Sequence, residues 1–210
     1  MADVRARLYL ITPRIGAITE IEPQLAAALG AGDVACLLLR FAAMPERAAK
    51  EIAKRVAAIV QQRDTALLVE DARLAAHVGT DGVHVEGLGQ AFADALDSMK
   101  PGRIVGVGAG LSRDEAMQAG EAGADYLMFD AGPGAAAETL GLTAWWAEIF
   151  NVPCVGVAHR RDEVEALGAS GAEFVGLGDA VWRDPRGLAA VVGDAEAALV
   201  RAAARRGVPA

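Results

Sequence analysis

Short apolar runs alternate with helical stripes along the whole chain. Residues 8–12, Leu-Tyr-Leu-Ile-Thr, predict a first strand. Residues 34–40 predict a second, apolar at nearly every position, as in a parallel sheet covered on both faces. Pro45-Glu46 then opens a long helix, with proline in the first turn where its missing N–H costs nothing. Ala49, Ile52, Val56, Ile59 and Val60 form its apolar stripe, and Glu46–Lys50 and Glu51–Arg55 are i,i+4 pairs on its solvated side. Further strands are expected at 66–70, 82–85, 103–107, 126–129, 153–157 and 174–177. Helices are expected at 72–78, before Lys100-Pro101-Gly102, after the capping pattern Ser112-Arg113-Asp114-Glu115, and at 143–150, 162–167 and 187–206. Gly132-Pro133-Gly134 with Ala135, Ala136 and Ala137 reads as a mobile loop, and Trp145 and Trp146 as packing residues.

One junction is written three times. His77 to Val85, Glu121 to Phe129 and Ser170 to Leu177 each place a glycine, a small residue, an acid and then an apolar run. The glycine closes a helix, because the left-handed position after a helix end costs glycine nothing. The acid fills the short turn and the apolar run is a buried strand. Recurrence roughly every 45 residues marks a regular α/β architecture. Eight strand–helix units predict a single (β/α)8 TIM barrel, one domain over 1–210. An open doubly wound sheet is the alternative, but it more often carries a glycine-rich turn straight after the first strand, where Thr12-Pro13-Arg14 stands.

Composition narrows the picture. The chain has 210 residues, 53% of them hydrophobic, enough for a sizeable core. A net charge of -8 argues against nucleic acid as a partner, which needs a basic face, yet leaves room for a local basic pocket. Cys36 and Cys154 each lie in an apolar strand and read as reduced core thiols. The opening Met1 to Arg7 and the few apolar residues after it are too short for a secretory h-region, and no run reaches the length of a membrane span. A cytoplasmic protein with no membrane partner is expected, and a homo-oligomer is left open.

In a barrel, chemistry gathers where strands end and helices begin. Those positions hold Arg40 after the second strand, Glu70 and Asp71 after the third, and His84 and Glu86 at the fourth. Asp130 follows the sixth, His159 the seventh and Asp179 the eighth. His159 suits acid–base work, because an imidazole titrates near neutrality. Glu70, Asp71 and Glu86 end neighbouring strands and could together form a hard-cation site. Asp71 could equally cap the helix that starts at Ala72, and Asp179 the element after it.

Several stretches carry a family resemblance. Leu8-Tyr9-Leu10-Ile11-Thr12, Leu39-Arg40, Glu70-Asp71, Gly82-Val83-His84-Val85, Ile104-Val105-Gly106-Val107 and Ala122-Gly123-Ala124-Asp125-Tyr126 resemble segments of the thiamine phosphate synthase family and its tautomerase-like relatives. The resemblance covers nearly the whole chain. It implies coupling of a pyrimidine methyl diphosphate to a thiazole phosphate with release of pyrophosphate, and Mg2+ with Asp71 at a metal-ligand position. Arg40 takes the diphosphate-clamp position. His84, Gly108, Asp130, Ala158, Gly178 and Asp179 take substrate-binding positions, so the implied partner is a small phosphorylated heterocycle or a related small molecule.

The same comparison of residues shows departures. Leu38 and Ala42 replace the Gln and Lys that flank the strand-two arginine, and Gly108 replaces a serine. The loop Glu86-Gly87-Leu88-Gly89 lacks the second metal-binding acid, and no Thr-x-Thr-Lys segment stands between Gly132 and Thr143. Ala158-His159 replaces Gly-Gly, and Asp179 replaces a serine at the eighth strand. An ionised Asp179 at ~4 Å from a phosphate repels it by about 4 kcal/mol per charge pair at intermediate dielectric. A helix dipole returns only ~1–2 kcal/mol. The phosphate pocket is therefore expected to be altered unless Asp179 turns away or pairs with His159 or Arg160. Phe129-Asp130 stands where the tautomerase-like relatives carry their catalytic histidine. Three functions follow: a synthase whose activity is weak or lost, a divergent member that binds another small ligand or regulates a partner, and a different barrel enzyme built on Asp130, His159 and Asp179.

Overall fold

The computed structural model describes residues 5–108 and 112–208. Met1 to Val4, at the segment weighed above as a leader, lie outside the described residues. Eight parallel strands close a barrel in sequence order, β8 pairing with β1. They are β1 (Arg7–Ile15), β2 (Val34–Phe41), β3 (Ala66–Val69), β4 (Gly82–Glu86), β5 (Ile104–Gly108), β6 (Tyr126–Phe129), β7 (Cys154–Ala158) and β8 (Phe174–Leu177). The helices between and after them are α1 (Glu22–Leu29), α2 (Glu46–Val60), α3 (Ala72–Val78), α4 (Gln90–Met99), α5 (Arg113–Glu121), α6 (Ala136–Ile149), α7 (Arg161–Ala169) and α8 (Leu188–Arg206). A 3-10 turn, Asp179–Arg183, stands between β8 and α8. No helix among the described residues is long and apolar enough to cross a membrane.

Strand alternation sorts the core into two layers. Tyr9, Ile11, Cys36, Leu38, Leu68, Tyr126, Met128, Val155 and Val157 fill the barrel interior as one cluster. The residues between them, including Leu8, Leu10, Leu37, Leu39, Leu67, Leu127 and Cys154, pack outward against the helices. Each fully buried leucine or valine contributes about 1.5–3 kcal/mol relative to exposure. Trp146 anchors the α6 side of the outer layer: it is 1% exposed, stacks on Phe150 at 4.0 Å, and donates from Nε1 to the Val152 carbonyl at 2.7 Å.

The repeated junction is what the sequence predicts, with one addition. Gly79, Gly123 and Gly171 all have left-handed φ, at 79°, 97° and 102°. The acid does more than fill the turn. Asp81 accepts the Leu67 N–H at 2.7 Å, Asp125 the Val105 N–H at 2.8 Å, and Glu173 the Cys154 N–H at 3.0 Å. Each carboxylate thereby satisfies an N–H in the first two residues of the preceding strand and pins consecutive strands together at the end of the barrel opposite the site.

Some expectations change. Ala136 and Ala137 belong to α6, not to a loop; two glycines with φ of 85° and 92°, Gly132 and Gly134, complete the turn, and alanine, the best helix former, starts the helix at once. That helix thus begins seven residues before Thr143. Ser112 caps α5 as its pattern predicts, accepting the Glu115 N–H. Helix α1 is implied by the count of eight units but not located in the sequence, and the 3-10 turn after β8 is unread; neither carries a strong amphipathic signature.

Candidate functional site

At the C-terminal end of the strands a cavity of about 560 Å³ opens, lined by Arg40, Glu86, Gly108, Asp130, His159, Gly178 and Asp179 over a floor of Ile11, Leu38 and Met128. Most of these obey the same alternation as the barrel interior. Arg40 continues the inward series Cys36, Leu38; Glu86 follows His84; Asp130 follows Tyr126 and Met128; His159 follows Val155 and Val157. The sheet therefore aims them into the mouth.

Arg40 is held from two sides. Its backbone N–H donates to Thr12 Oγ1 at 2.9 Å and its Nε donates to the Thr12 carbonyl at 2.8 Å. Its terminal nitrogen faces Asp179 Oδ2 at 3.4 Å. Thr12 is fully buried. It looks like an ordinary strand residue in the sequence; the signal that could have found it is a hydroxyl at the end of an otherwise apolar strand. Asp179 pairs with Arg40 rather than with His159 or Arg160, whose own partner is Asp162.

His159 meets Asp130, Nε2 to Oδ1, at 2.6 Å, and Asp130 also accepts the Gly132 N–H at 2.8 Å. Glu163, unmarked by the sequence, accepts the backbone N–H groups of both His159 and Arg160 and so fixes the start of α7 beneath the imidazole. Gly178 leaves the ring its space: a Cβ there would lie 3.0 Å from His159 Nδ1. Asp130, His159 and Asp179 thus do line one pocket.

Glu86 reaches across to β5. Its strand partner is Gly108, and a Cβ on Gly108 would lie 2.3 Å from Glu86 Oε2. His84 is buried in the wall beneath, with Nε2 at 3.6 Å from Glu86 Oε1. The His84 imidazole, with smaller help from the guanidinium groups of Arg40 and Arg14, holds the Glu86 carboxyl below the usual carboxylate range against the opposing effect of burial.

Other sequence-predicted residues are committed elsewhere. Asp71 caps α3, accepting the Leu74 N–H at 2.7 Å. Glu70 is clamped by both terminal nitrogens of Arg14 at 2.8 Å. Among the described residues no three His, Cys, Asp or Glu side chains converge as a cation site. Glu70, Asp71 and Glu86 therefore do not fit a magnesium cage built by the protein alone. Ala158 is 1% exposed and lines a separate cavity of about 330 Å³ between β7 and α7–α8, with Val164, Val191 and Ala198, because its place in the alternation points it away from the mouth.

Comparison with known proteins gives a consistent result. Residues 8–181 match the family model described as "Thiamine monophosphate synthase". The "Thiamine-phosphate synthase" of Rhodospirillum centenum is 41% identical over 197 residues, covering 90% of this chain and 95% of the relative. That of Hyphomonas neptunium is 35% identical over 201 residues, covering 90% and 91%. Among solved structures, a thiamine phosphate pyrophosphorylase from Pyrococcus furiosus superposes with a TM-score of 0.79 over 96% of this chain and 99% of that one, at 21% identity, which bears on the fold.

Proposed function

The chain belongs to the thiamine monophosphate synthase family, and on that premise we propose that its mouth cavity joins a pyrimidine methyl diphosphate to a thiazole phosphate, slowly. In this coupling the bond between the methylene carbon and the diphosphate oxygen breaks and its electron pair leaves on pyrophosphate. The thiazole nitrogen lone pair forms the new C–N bond, and the product ring carries the positive charge. Arg40 matches the charge that develops on the departing pyrophosphate, and a guanidinium is suited to this by its planar fork of donors. His159, paired with Asp130, is placed at the mouth to give its imidazolium proton to an oxygen of the departing pyrophosphate, leaving neutral imidazole.

The observation that carries this reading is Arg40 itself, gripped by Thr12 on β1 and opening into the cavity beside Asp179. The slow rate follows from charge. Glu86, Asp130 and Asp179 line a cavity that holds Arg40 and His159 as its only basic lining residues among those described. A phosphate ~4 Å from one uncompensated carboxylate loses about 4 kcal/mol per charge pair at intermediate dielectric. Magnesium, implied by the family resemblance, would offset part of that repulsion, but the carboxylates at Glu70, Asp71 and Glu86 do not assemble for it.

A second reading has support of its own. Because Asp179 already faces the Arg40 guanidinium, the clamp is matched internally. That favours a divergent family member that holds a different small ligand and has lost the coupling. Incubating the protein with both precursors, with and without Mg2+, and analysing the mixture by mass spectrometry separates the two. The coupled product supports the synthase reading; both precursors recovered unchanged under every condition leave the second.

A further inference from the structure

A line of polar groups runs up the barrel axis to the mouth. Tyr9 and Tyr126 hydroxyls lie 2.7 Å apart, and the Tyr126 hydroxyl lies 2.8 Å from His84 Nδ1. All three side chains are buried. Gly106 makes the line fit, because a Cβ there would lie 2.0 Å from the Tyr126 ring. Burial pushes both tyrosine hydroxyls well above their usual range, so both keep their protons.

The line ends on an unpartnered atom. His84 Nε2 has no hydrogen-bond partner and its residue is 1% exposed. It faces Glu86 Oε1 at 3.6 Å, beyond hydrogen-bond length. A bare Nε2 lone pair turned toward a carboxylate would be repelled. The favourable arrangement has Tyr9 donating to Tyr126, Tyr126 donating to Nδ1, and the imidazole proton on Nε2, aimed at Glu86. The Glu86 carboxylate is positioned independently from the other side, in the cradle that Gly108 leaves open. Its side chain is 76% exposed, so it is presented to whatever enters the mouth. The same cavity has the apolar side chains of Ile11, Leu38 and Met128 in its lining. An anion in a cavity with an apolar lining matches a flat aromatic ring that carries positive charge.

We propose that Glu86, seated over Gly108 and backed by His84, is a recognition subsite for a cationic heteroaromatic ring, a protonated aminopyrimidine or a thiazolium. This deepens the coupling reading, since charge accumulates on those rings as pyrophosphate leaves and in the product, but binding to the subsite does not require turnover. Glu86 then favours the unphosphorylated cation over its phosphorylated form.

The test is calorimetric titration of the full chain with thiamine, an unphosphorylated thiazolium, and separately with the neutral hydroxyethyl thiazole. Glu86→Gln should weaken thiamine binding at least tenfold and leave the neutral thiazole unchanged. Gly108→Ser, which displaces the carboxylate, should weaken it in the same direction; if that variant fails to fold, Glu86→Gln alone decides, as an exposed isosteric change. Tyr126→Phe should weaken thiamine binding less than Glu86→Gln does. Thiamine binding that is absent in the parent protein, or equal in parent and Glu86→Gln, overturns the proposal. Glu86-dependent thiamine binding in a protein that yields no coupled product would retain the subsite and discard the coupling. Coupling with thiamine binding unaffected by Glu86→Gln would do the reverse.

Discussion

Arg40 and Asp179, 139 residues apart in the chain, face each other at 3.4 Å across the barrel mouth. One lies at the C-terminal end of β2, next to its last residue, and the other starts the 3-10 turn after β8, so the pair spans β1 between them. The distance is long for a charge-assisted hydrogen bond, and both side chains keep partial exposure. Asp179 therefore tempers Arg40 without immobilising it. Replacing Asp179 by Asn should free the guanidinium and remove one repulsive charge. Affinity for inorganic pyrophosphate, measured by calorimetry, should rise by roughly tenfold or more, the effect of removing one like charge near the ligand in a partly solvated site. Unchanged or weaker binding would mean that Asp179 does not face the anion.

The His159–Asp130 pair predicts a second outcome. If the imidazole moves a proton during coupling, His159→Gln should lower kcat by about 10²–10⁴-fold, the usual contribution of general acid–base catalysis, and should abolish one limb of the pH–rate profile. Asp130→Asn should lower kcat less and shift that limb, because it alters the imidazole's partner and leaves the ring present. A profile identical to the parent's in both variants would remove the pair from the chemistry.

The scaffold end of the barrel gives a stability prediction. Asp125 accepts the Val105 N–H and also pairs with Lys100. Asp125→Ala leaves a buried strand N–H without its acceptor, at a cost of about 1–3 kcal/mol. Denaturant unfolding should show a lower midpoint with an unchanged slope. Because the change sits at the end remote from the mouth, pyrophosphate affinity should stay within error of the parent value.

Acid should destabilise the fold in a defined window. Asp184 and Asp194 are held below the usual carboxylate range first by Arg186, Glu165 by Arg201, Asp162 by Arg160, and Glu86 by His84. Between the lowered and the ordinary values the unfolded chain binds more protons than the folded one, so stability rises with pH there. The contribution is complete above the ordinary range, about pH 4–4.5, and is lost as pH falls through the lowered values. Thermal midpoints should vary little with these groups from pH 7 to 5 and fall modestly from pH 4 to 2, because most of these pairs are solvent-screened. Midpoints that stay level from pH 4 to 2 would contradict the pairing.

Much of this was readable from residue order, and the physical reasons for the gaps are specific. The junction glycines Gly79, Gly123 and Gly171 are legible because only a left-handed turn explains a glycine repeatedly placed before an acid and an apolar run. The same alternation that reveals strands places Arg40, Glu86, Asp130 and His159 in the mouth and turns Ala158 away. It fails at two strand ends: Glu70 is in phase with Leu68 but is held by Arg14, and Asp179 lines the cavity from the turn after β8. Seats made by absent atoms are illegible. Nothing in a one-letter string shows that Gly108 makes room for Glu86, or that Gly106 makes room for Tyr126. Thr12 and Glu163 escape for a related reason: each acts on a backbone group or a neighbour's side chain, and the residues they hold come from other elements or the next turn.

The role proposed for Arg40 is to drive pyrophosphate departure in this cavity. Its most direct measurement is the rate of pyrophosphate release from the two precursors by the parent, Arg40→Lys and Arg40→Ala proteins under identical conditions. Expected are measurable release by the parent, a partial loss in Arg40→Lys, which keeps the charge but not the fork, and a loss of at least 100-fold in Arg40→Ala with the fold intact by circular dichroism. No release from the parent, or equal rates in all three, would contradict it.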